Sequence, residues 1–420
     1  MKWAAISDDG RSRRQWLTHE AMIWYHTNMR DGKLVMGQIG CGGFARDQDL
    51  PNMKARQDVV VKYCCDPDAA SAEWAANTFG GECAVGDYHA VVDDPEVDFL
   101  KVSTPHDMHK AIVLDAAAKG KHVFCEKPMA MSLEDCWEMI RAVQRGGIRF
   151  CVDMNRRMAP AMQALRSRVR AQAESPRHSP WRYVEKTREP MFEETCANLL
   201  VRIQDESSSY RLVHLDPAHG GGQVIGESVH WLDLACWFFA PARPVEVIGW
   251  GTARLSHGIN LRFSNGNAAT IVFDACGTFD YPKEMYEVTS DAALFRSMFF
   301  VENRYYGMAG EERETFPLQF DAYADRVPAD GFDAFMEKSR LRQQDAAKGG
   351  MKASWGALGV DKGHRAMLDG FVESVKTGGP SPCDEMAGMR AVLLSNLAMQ
   401  AIRERRAVAV PVDLYEPVFA

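Results

Sequence analysis

The stretch Leu34-Val35-Met36-Gly37-Gln38-Ile39-Gly40-Cys41-Gly42-Gly43-Phe44-Ala45 decides the fold of this chain. A short apolar run that predicts a strand ends in a glycine-rich turn, and Gly40, Gly42 and Ala45 fit the pattern Gly-x-Gly-x-x-Ala. Gly40 permits a tight turn, Gly42 lets backbone N–H groups approach a phosphate, and the small Ala45 lets the next helix pack closely on the strand. A helix N-terminus behind such a turn favours negative charge. The stretch therefore predicts a site for the pyrophosphate of a dinucleotide, and a ligand-free strand-to-helix turn is the alternative.

The residues that follow alternate between apolar runs and alanine-rich stretches of helical length. Strands that alternate with helices of roughly ten to fifteen residues are typical of a parallel, doubly wound sheet. The predicted strands are Val59–Cys65, Phe99–Ser103, His122–Cys125 and Ile148–Asp153, and the predicted helices are Asp68–Phe79, Met108–Lys119 and Ser132–Gln144. We therefore expect residues 33–153 to form an N-terminal Rossmann domain that binds a dinucleotide.

The pattern changes in residues 154–420, where short segments of alternating polar and apolar residues predominate from Arg182 onward. Hairpin-like turns such as Ser264-Asn265-Gly266 separate these segments. The predicted strands are Val245–Ala253, Ile259–Phe263, Ala268–Cys276, Glu284–Thr289 and Ala293–Phe300, and the predicted helices are Gly222–Phe239, Lys362–Lys376 and Met386–Arg405. The expectation is a C-terminal α/β domain with a large, mostly antiparallel sheet.

Asp66 follows the second predicted strand about twenty residues beyond the glycine turn, where an acidic side chain can bind the hydroxyls of an adenosine ribose. The segment Asp66-Pro67-Asp68 contains no basic residue that could pair with a 2′-phosphate. We therefore expect NAD as the cofactor and favour it over NADP.

Composition and charge argue against several other classes of protein. The chain has 420 residues, 46% hydrophobic and 25% charged, so two globular domains with a sizeable core are expected. The net charge is −8 and the only basic blocks are residues 11–14 and 403–406, which argues against a nucleic-acid partner. No run approaches the roughly 18 apolar residues of a membrane span. The eleven cysteines include no Cys-x-x-Cys pair, which favours reduced thiols in a cytoplasmic protein.

Residues 1–32 precede the first strand and are expected to be an extension or arm. Ser12-Arg13-Arg14-Gln15-Trp16-Leu17 is weakly similar to a twin-arginine export signal, but charged residues interrupt the apolar region that such a signal needs. Residues 14–28 could form a short helix that packs on the body of the protein or on a partner subunit. An upstream start codon ahead of Met29 is the alternative.

The predicted helix that follows Gly220-Gly221-Gly222 carries Glu227, His230 and Asp233. Their three-residue spacing places them on one side of a regular helix. An imidazole there can take a hydroxyl proton, because its ordinary pKa lies near neutrality, and Glu227 is expected to orient it. A structural role at a domain interface is the alternative.

No metal site is expected. The pattern Glu-x-x-His occurs in di-iron sites, but those sites need two copies, and the chain has only the copy at Glu227 and His230. The pair His106-x-x-His109 is interpreted as structural or as a contact to the cofactor.

Glu126-Lys127-Pro128 follows the predicted strand His122–Cys125, at the C-terminal edge of the sheet. A lysine at this edge can reach a nicotinamide, hydrogen-bond a reacting oxygen and stabilise the charge that develops on it. Alone, the tripeptide also fits an ordinary surface turn, and its position after the glycine turn and the alternating strands favours the catalytic interpretation.

These features together resemble the Gfo/Idh/MocA oxidoreductases, which include glucose–fructose oxidoreductase and inositol dehydrogenase. The resemblance covers about residues 33–410. It rests on Gly37-Gln38-Ile39-Gly40-Cys41-Gly42-Gly43, Ser103-Thr104-Pro105 with His109, Gly120-Lys121-His122-Val123-Phe124-Cys125-Glu126-Lys127-Pro128, Asn155-Arg156-Arg157, Gly220-Gly221-Gly222 with His230-x-x-Asp233, and Lys362-Gly363-His364-Arg365. It implies a Rossmann domain, a substrate-binding domain whose open sheet joins subunits into a homodimer or homotetramer, and a carbohydrate substrate.

The resemblance also implies roles for individual residues. Lys127 is expected to contact substrate and nicotinamide, and His230 is the candidate acid or base. Further cofactor contacts are implied at Gly43, Phe44, Ser103, Thr104, Pro105, His106, His109 and Glu126, and substrate contacts at Asn155, Arg156, Arg157 and Asp233. Many members of the family have an aspartate four residues before the histidine, where this chain has Gly226, and Glu227 stands three residues before it. This departure indicates a Gly-Glu-x-x-His subgroup.

The predicted function is the NAD-dependent oxidation of a secondary hydroxyl of a sugar, glycoside or cyclitol. A redox-neutral glycosidase is the alternative, because the resemblance includes members that oxidise a sugar, eliminate the aglycone and return the hydride to a retained NAD. A non-catalytic dinucleotide-sensing protein is a third hypothesis, and the presence of both Lys127 and His230 argues against it.

Overall fold

The structure is a computed structural model that describes most of the chain. The described residues are 29–174, 196–205, 215–216, 219–278, 280–290, 293–307, 313–349 and 358–411. The expected helix at 14–28 and the export-like segment lie outside these residues.

Parallel strands form the first sheet. In chain order they are Leu34–Ile39 (β1), Val59–Cys65 (β2), Cys83–Val85 (β3), Phe99–Val102 (β4), His122–Cys125 (β5) and Phe150–Val152 (β6). The order across the sheet is β3-β2-β1-β4-β5-β6, and every pairing is parallel. Successive strands are therefore added on one side of β1 up to β3 and on its other side from β4 onward. Ligands of such sheets bind beyond the carboxyl ends of the strands at this switch point between β1 and β4. The predicted doubly wound sheet is confirmed.

Helices connect these strands, and their ends have simple local causes. They are Leu50–Lys54 (α1), Ala69–Phe79 (α2), His89–Val92 (α3), His109–Ala118 (α4) and Leu133–Gly146 (α5). The Ser132 side chain accepts a hydrogen bond from Asp135 N at 3.1 Å and so caps the start of α5. The helix ends at Gly147, which has the positive φ that glycine tolerates best.

The helix expected directly after the glycine turn begins irregularly. Ala45–Asp49 forms a π-helical turn before α1. Pro51 stands at the second position of α1 and has no backbone N–H to donate to residue 47, so the regular α-helical ladder cannot continue backward through it.

The second sheet is mixed and mostly antiparallel, as predicted. Its strands are Asn198–Gln204 (β7), Pro244–Gly251 (β8), Ser256–Phe263 (β9), Ala268–Asp274 (β10), Glu284–Ser290 (β11), Ala293–Met298 (β12), Glu302–Tyr306 (β13), Arg313–Thr315 (β14) and Val408–Ala409 (β15). They are ordered β14-β13-β12-β11-β7-β10-β9-β8-β15. Among the described strands of this second sheet, only β7 and β10 pair in parallel. The central strand β7 was missed by the sequence analysis.

The later helices join the two sheets. They are Pro160–Glu174 (α6), Val229–Phe239 (α7), Phe332–Lys348 (α8), His364–Thr377 (α9) and Glu385–Glu404 (α10). Phe371 of α9 packs edge-on against Phe99 and Phe124 of the first sheet, with ring centroids 5.6 and 5.4 Å away. Helix α10 packs against both α5 and α7. Because α10 also packs on β8, the C-terminal helices connect the second sheet with the first. None of the described helices combines the length and the apolar character needed to cross a membrane.

Candidate active site

The glycine turn has the shape that a dinucleotide site requires. Gly40 has φ of +88°, and a Cβ there would lie 2.4 Å from the carbonyl oxygen of Ser103, so a side chain is excluded. At Gly42 and Gly43 no described heavy atom comes within 4 Å of the Cβ position. The backbone is bare at these two glycines, and a pyrophosphate can approach their N–H groups.

Asp66 lies beside this turn at the end of β2. Its two carboxylate oxygens accept hydrogen bonds from Cys41 N at 2.8 Å and Asp68 N at 2.9 Å. A basic residue that the sequence analysis did not consider is also nearby. Arg46 donates to Ser71 Oγ at 2.9 Å and stacks over the Trp74 ring at 4.4 Å. The carboxylate favours a free ribose hydroxyl, whereas the guanidinium is a potential partner for a 2′-phosphate.

The loop after β4 is tied to Glu126-Lys127-Pro128 by His109. The buried imidazole lies 2.9 Å from Pro128 O through Nδ1 and 3.1 Å from Thr104 O through Nε2. Burial lowers the pKa of His109. His106 extends in the other direction, with Nδ1 3.1 Å from Gly220 O. These two histidines connect loops of the site, and their contact to a cofactor remains a prediction.

Glu126 points into the protein rather than toward the cleft. Its Oε1 accepts a hydrogen bond of 2.7 Å from Lys101, a lysine of β4 whose side chain is only 1% exposed. Asp49 lies 3.1 Å from the same ammonium, and Ser103 bonds to both residues. Burial raises the pKa of Glu126 well above its usual value. This cluster was not predicted from the sequence, although Lys101, a charged residue within an otherwise apolar strand, is a local signal for it.

Lys127 spans the gap between the two sheets. From the end of β5 its Nζ donates to Gly226 O at 2.6 Å and to Glu227 Oε1 at 2.8 Å. The second oxygen of Glu227 accepts a bond of 3.2 Å from Lys283, which also pairs with Asp205. Burial alone would raise the pKa of Glu227, but the ammonium groups of Lys127 and Lys283 hold it well below its usual value.

His230 is brought to the same place but does not bond to Glu227. It is 6% exposed, and its buried Nδ1 has no hydrogen-bond partner among the residues that the structure describes. Val224–Ser228 forms a π-helical turn ahead of α7, so Glu227 and His230 do not have the angular spacing of a regular α-helix. Burial, together with the positive charges of Arg156 and Lys127, lowers the pKa of His230 well below its usual value. A lowered pKa favours the neutral imidazole, which is the form that accepts a proton.

The residues expected to contact substrate are largely engaged with one another. Arg157 forms a two-point ion pair with Asp233, with Nε 3.0 Å from Oδ2. Arg156 donates to both oxygens of Glu284 at 2.7 and 2.8 Å. Asn155 bonds to the backbone oxygen of Lys362 at 2.8 Å. The roles of these residues in substrate binding remain predictions. In the structure, the guanidinium groups of both arginines are bound to carboxylates of the protein.

Several charged residues of the site were missed by sequence reasoning. Lys283, Glu284 and Asp205 stand at strand ends, where a charged side chain usually faces solvent. Lys362 was included only as part of a longer motif. It lines a cavity of about 250 Å³ together with Phe44, Phe299, Phe320, His364 and Arg365. Within the described residues, no group of three or more His, Cys, Asp or Glu side chains is arranged to hold a metal ion.

Comparison with known proteins supports this interpretation. Residues 34–154 match the family Gfo/Idh/MocA, described as an oxidoreductase family with an NAD-binding Rossmann fold. The chain is 34% identical over 133 residues to 1,5-anhydro-D-fructose reductase of Ensifer adhaerens, a match that covers 32% of this chain and 40% of the relative. It is 33% identical over 146 residues to inositol 2-dehydrogenase of Acidothermus cellulolyticus, covering 34% and 42% respectively. The matches thus span about two-fifths of these relatives.

A solved structure shows the same fold over a longer range. An oxidoreductase from Agrobacterium radiobacter, crystallised with NAD+, L-tartaric acid and magnesium, superposes with a TM-score of 0.68. The superposition covers 90% of this chain and 98% of the other at 18% identity, so this comparison concerns the fold alone. The family match itself covers residues 34–154, which contain the first sheet.

Proposed function

We propose that the protein is an NAD-dependent dehydrogenase that oxidises a secondary hydroxyl of a sugar, glycoside or cyclitol. One observation carries the proposal. Lys127 extends from the carboxyl edge of the first sheet to Gly226 and Glu227, one turn ahead of His230. The Nδ1 atom of His230 has no hydrogen-bond partner among the described residues. A hydrogen-bond donor and a neutral base from two different parts of the chain thus meet at the edge where a nicotinamide would lie.

The residues around the glycine turn fit a dinucleotide. The uncovered backbone at Gly42 and Gly43 suits the pyrophosphate, and Asp66, fixed by backbone N–H groups, suits the adenosine ribose. NAD, when bound, supplies the acceptor for the hydride of the substrate's carbinol carbon. We favour NAD over NADP because of Asp66, with Arg46 as the feature that could reverse the preference.

His230 and Lys127 have separate roles in the reaction. His230 takes the hydroxyl proton, because its lowered pKa keeps the imidazole neutral and able to accept. Lys127 donates a hydrogen bond to the reacting oxygen and stabilises the negative charge that develops there. Glu227 fixes the Lys127 ammonium, and Lys283 balances the carboxylate from its other side. Each positioned proton-transfer group is expected to contribute roughly 10²–10⁴ in rate.

A panel of sugars, glycosides and inositols tests the proposal. Purified protein is mixed with NAD, and NADH is followed by its absorbance. NADH formation with at least one substrate, abolished in Lys127→Ala, is the expected result. Release of aglycone from a glycoside without net NADH would support the redox-neutral glycosidase instead. Absence of NAD binding and of turnover across the panel would overturn the proposal.

We also propose that the open face of the second sheet joins two subunits. Leu200, Ile248, Trp250, Val272 and Tyr306 are each at least 38% exposed on that sheet. Large apolar side chains exposed on one sheet are typical of protein interfaces. Light scattering after gel filtration is expected to show a dimer or tetramer, and Trp250→Glu is expected to weaken it. A monomeric wild-type protein would contradict this assembly.

A further inference from the structure

The cleft beside Lys127 and His230 is bordered mainly by ammonium groups. Lys127, Lys283 and Lys362 come from three separate segments and have side chains that are 15, 16 and 21% exposed. The carboxylates that pair with the last two, Asp205 and Glu284, are 2 and 0% exposed. The three ammonium groups are therefore more exposed than Asp205 and Glu284, while Glu227, at 18%, is about as exposed as the lysines that it pairs with.

The charges form two contact networks that differ in balance. In the first, Lys127 and Lys283 face the carboxylates Glu227 and Asp205, so the charges cancel. In the second, Glu284 is the one carboxylate among the described residues that forms an ion pair with Arg156 and Lys362, and Glu227 acts on Arg156 from a longer distance. This second network carries one positive charge in excess.

Of the two cations, Lys362 makes the weaker contact with Glu284. Arg156 contacts both oxygens of that carboxylate at 2.7 and 2.8 Å, whereas the Lys362 ammonium stands 3.2 Å from one of them. Trp231 and Tyr286 also donate to Glu284, at 3.2 and 2.5 Å. The Glu284 carboxylate therefore accepts several hydrogen bonds that do not involve Lys362. Burial lowers the pKa of Lys362, and this is the direction expected of an ammonium with incomplete charge compensation.

Lys362 is also placed to meet a ligand. It lines the cavity of about 250 Å³ together with Phe44, at the end of the glycine turn, and the charged lining also includes Arg365, Asp47 and Asp361. Its Nζ lies 4.8 Å from the centroid of the Phe299 ring, a contact that positions the ammonium without neutralising it. A purely structural lysine would need neither the cavity nor the exposure.

We propose that the substrate carries an anionic substituent, a carboxylate or a phosphate, and that Lys362 is the residue that selects it. The inference rests on the proposed dehydrogenase function and narrows its substrate to an acidic carbohydrate. The reacting hydroxyl lies between Lys127 and His230, and the anion restores the charge balance of the Arg156–Glu284–Lys362 network. A hydrogen bond between charged groups in such a site corresponds to roughly ten- to hundredfold in affinity.

Matched neutral and anionic substrates test the assignment. The probes are glucose, glucuronate and glucose 6-phosphate, with galactose and galacturonate as a second series, each assayed with NAD for kcat/KM. The anionic member is expected to exceed its neutral counterpart by roughly tenfold or more, and Lys362→Met is expected to remove that preference. The variant keeps Glu284 paired with Arg156, so it is expected to fold. Lys119→Met is the control, because Lys119 is 55% exposed and follows α4 at the opposite edge of the sheet.

The outcomes separate this inference from the proposed function. The inference is overturned if neutral sugars are oxidised with the same kcat/KM as their anionic counterparts. It is also overturned if Lys362→Met changes kcat/KM equally for neutral and anionic sugars. Either result leaves the proposed dehydrogenase function intact. Calorimetric binding of glucuronate and glucose 6-phosphate to the NADH-loaded protein gives a readout independent of turnover. Binding that Lys362→Met abolishes, without oxidation of any substrate, supports the anion site and contradicts the dehydrogenase. If neither anion binds more tightly than glucose, the anion site is refuted. The two anions distinguish a carboxylate from a phosphate site.

Discussion

Replacing Lys101 by methionine removes the single ammonium from a buried acidic cluster. Its Nζ lies 2.7 Å from Glu126 Oε1 and 3.1 Å from both Asp49 Oδ1 and Ser103 Oγ. The side chains of Asp49 and Glu126 are 4 and 10% exposed, so water cannot replace the lost contacts. Methionine keeps the length and the packing against the Phe124 ring, which lies 4.8 Å from the ammonium. The substitution therefore tests charge rather than volume.

The expected loss is large and depends on pH. Removing one partner of a buried ion pair typically costs about 3–5 kcal/mol of unfolding free energy. Burial already raises the pKa of Asp49 and Glu126, and without Lys101 both rise further. The folded variant then binds more protons than the unfolded chain, whose carboxyls titrate near pH 4. The contribution of these two carboxyls to the stability of the variant is therefore most favourable at low pH and is lost as pH rises through their raised pKa values.

Urea unfolding followed by circular dichroism at pH 5 and pH 8 measures this effect. We expect the midpoint of Lys101→Met to lie below that of the wild type at pH 8 and to recover part of the difference at pH 5. Lys119→Met, which breaks an exposed pair with Asp93, should leave the midpoint unchanged at both values. The reasoning would be refuted if Lys101→Met had the urea midpoint of the wild type at pH 8, or if its midpoint were lowered equally at pH 5 and pH 8.

Three further predictions concern the site. NAD should bind roughly tenfold tighter than NADP, because the Asp66 carboxylate repels a 2′-phosphate. Titration of the protein with both cofactors measures this preference. Tighter binding of NADP that is lost in Arg46→Ala would contradict the prediction. Lys127→Ala should lower kcat by roughly 10² or more while NAD affinity is retained, as expected when transition-state stabilisation is lost; a near-normal kcat would assign the lysine a structural role. His230→Ala should abolish the ascending limb of the pH profile for oxidation, which the lowered pKa places below neutrality. Glu227→Gln should move that limb further down, since the lysines it binds lose their counter-charge, and the double variant should be about as slow as His230→Ala alone.

The sequence predicts the framework well, because the framework follows from local patterns. The strands Leu34–Ile39, Val59–Cys65 and His122–Cys125 occur with the bounds that their apolar runs indicate. The predicted C-terminal helices differ from the observed Glu385–Glu404 and His364–Thr377 by only one or two residues at each end. Buried strands of a parallel sheet are almost continuously apolar, so their limits can be read directly from the chain.

The charged interior of the site could not be predicted in the same way. Lys127 and Glu227 are separated by 100 positions, and Arg156 and Glu284 by 128. Nothing in the local pattern distinguishes a lysine that pairs across the fold from one that faces solvent. Lys101 gave one local signal, a charge within an apolar strand, and such a residue needs a buried partner.

The π-helical turn before α7 changes the interpretation of Glu227. A regular helix would have directed this carboxylate and His230 to one side, but Glu227 bonds to Lys127 and Lys283 instead. An ammonium has three N–H donors, and Lys127 uses two of them on Gly226 O and Glu227 Oε1. The two bonds fix its direction, and the third donor remains for the reacting oxygen of a substrate. Glu227 therefore positions the lysine, while the imidazole of His230 is kept neutral by burial and by the same positive charge that stabilises the developing oxyanion.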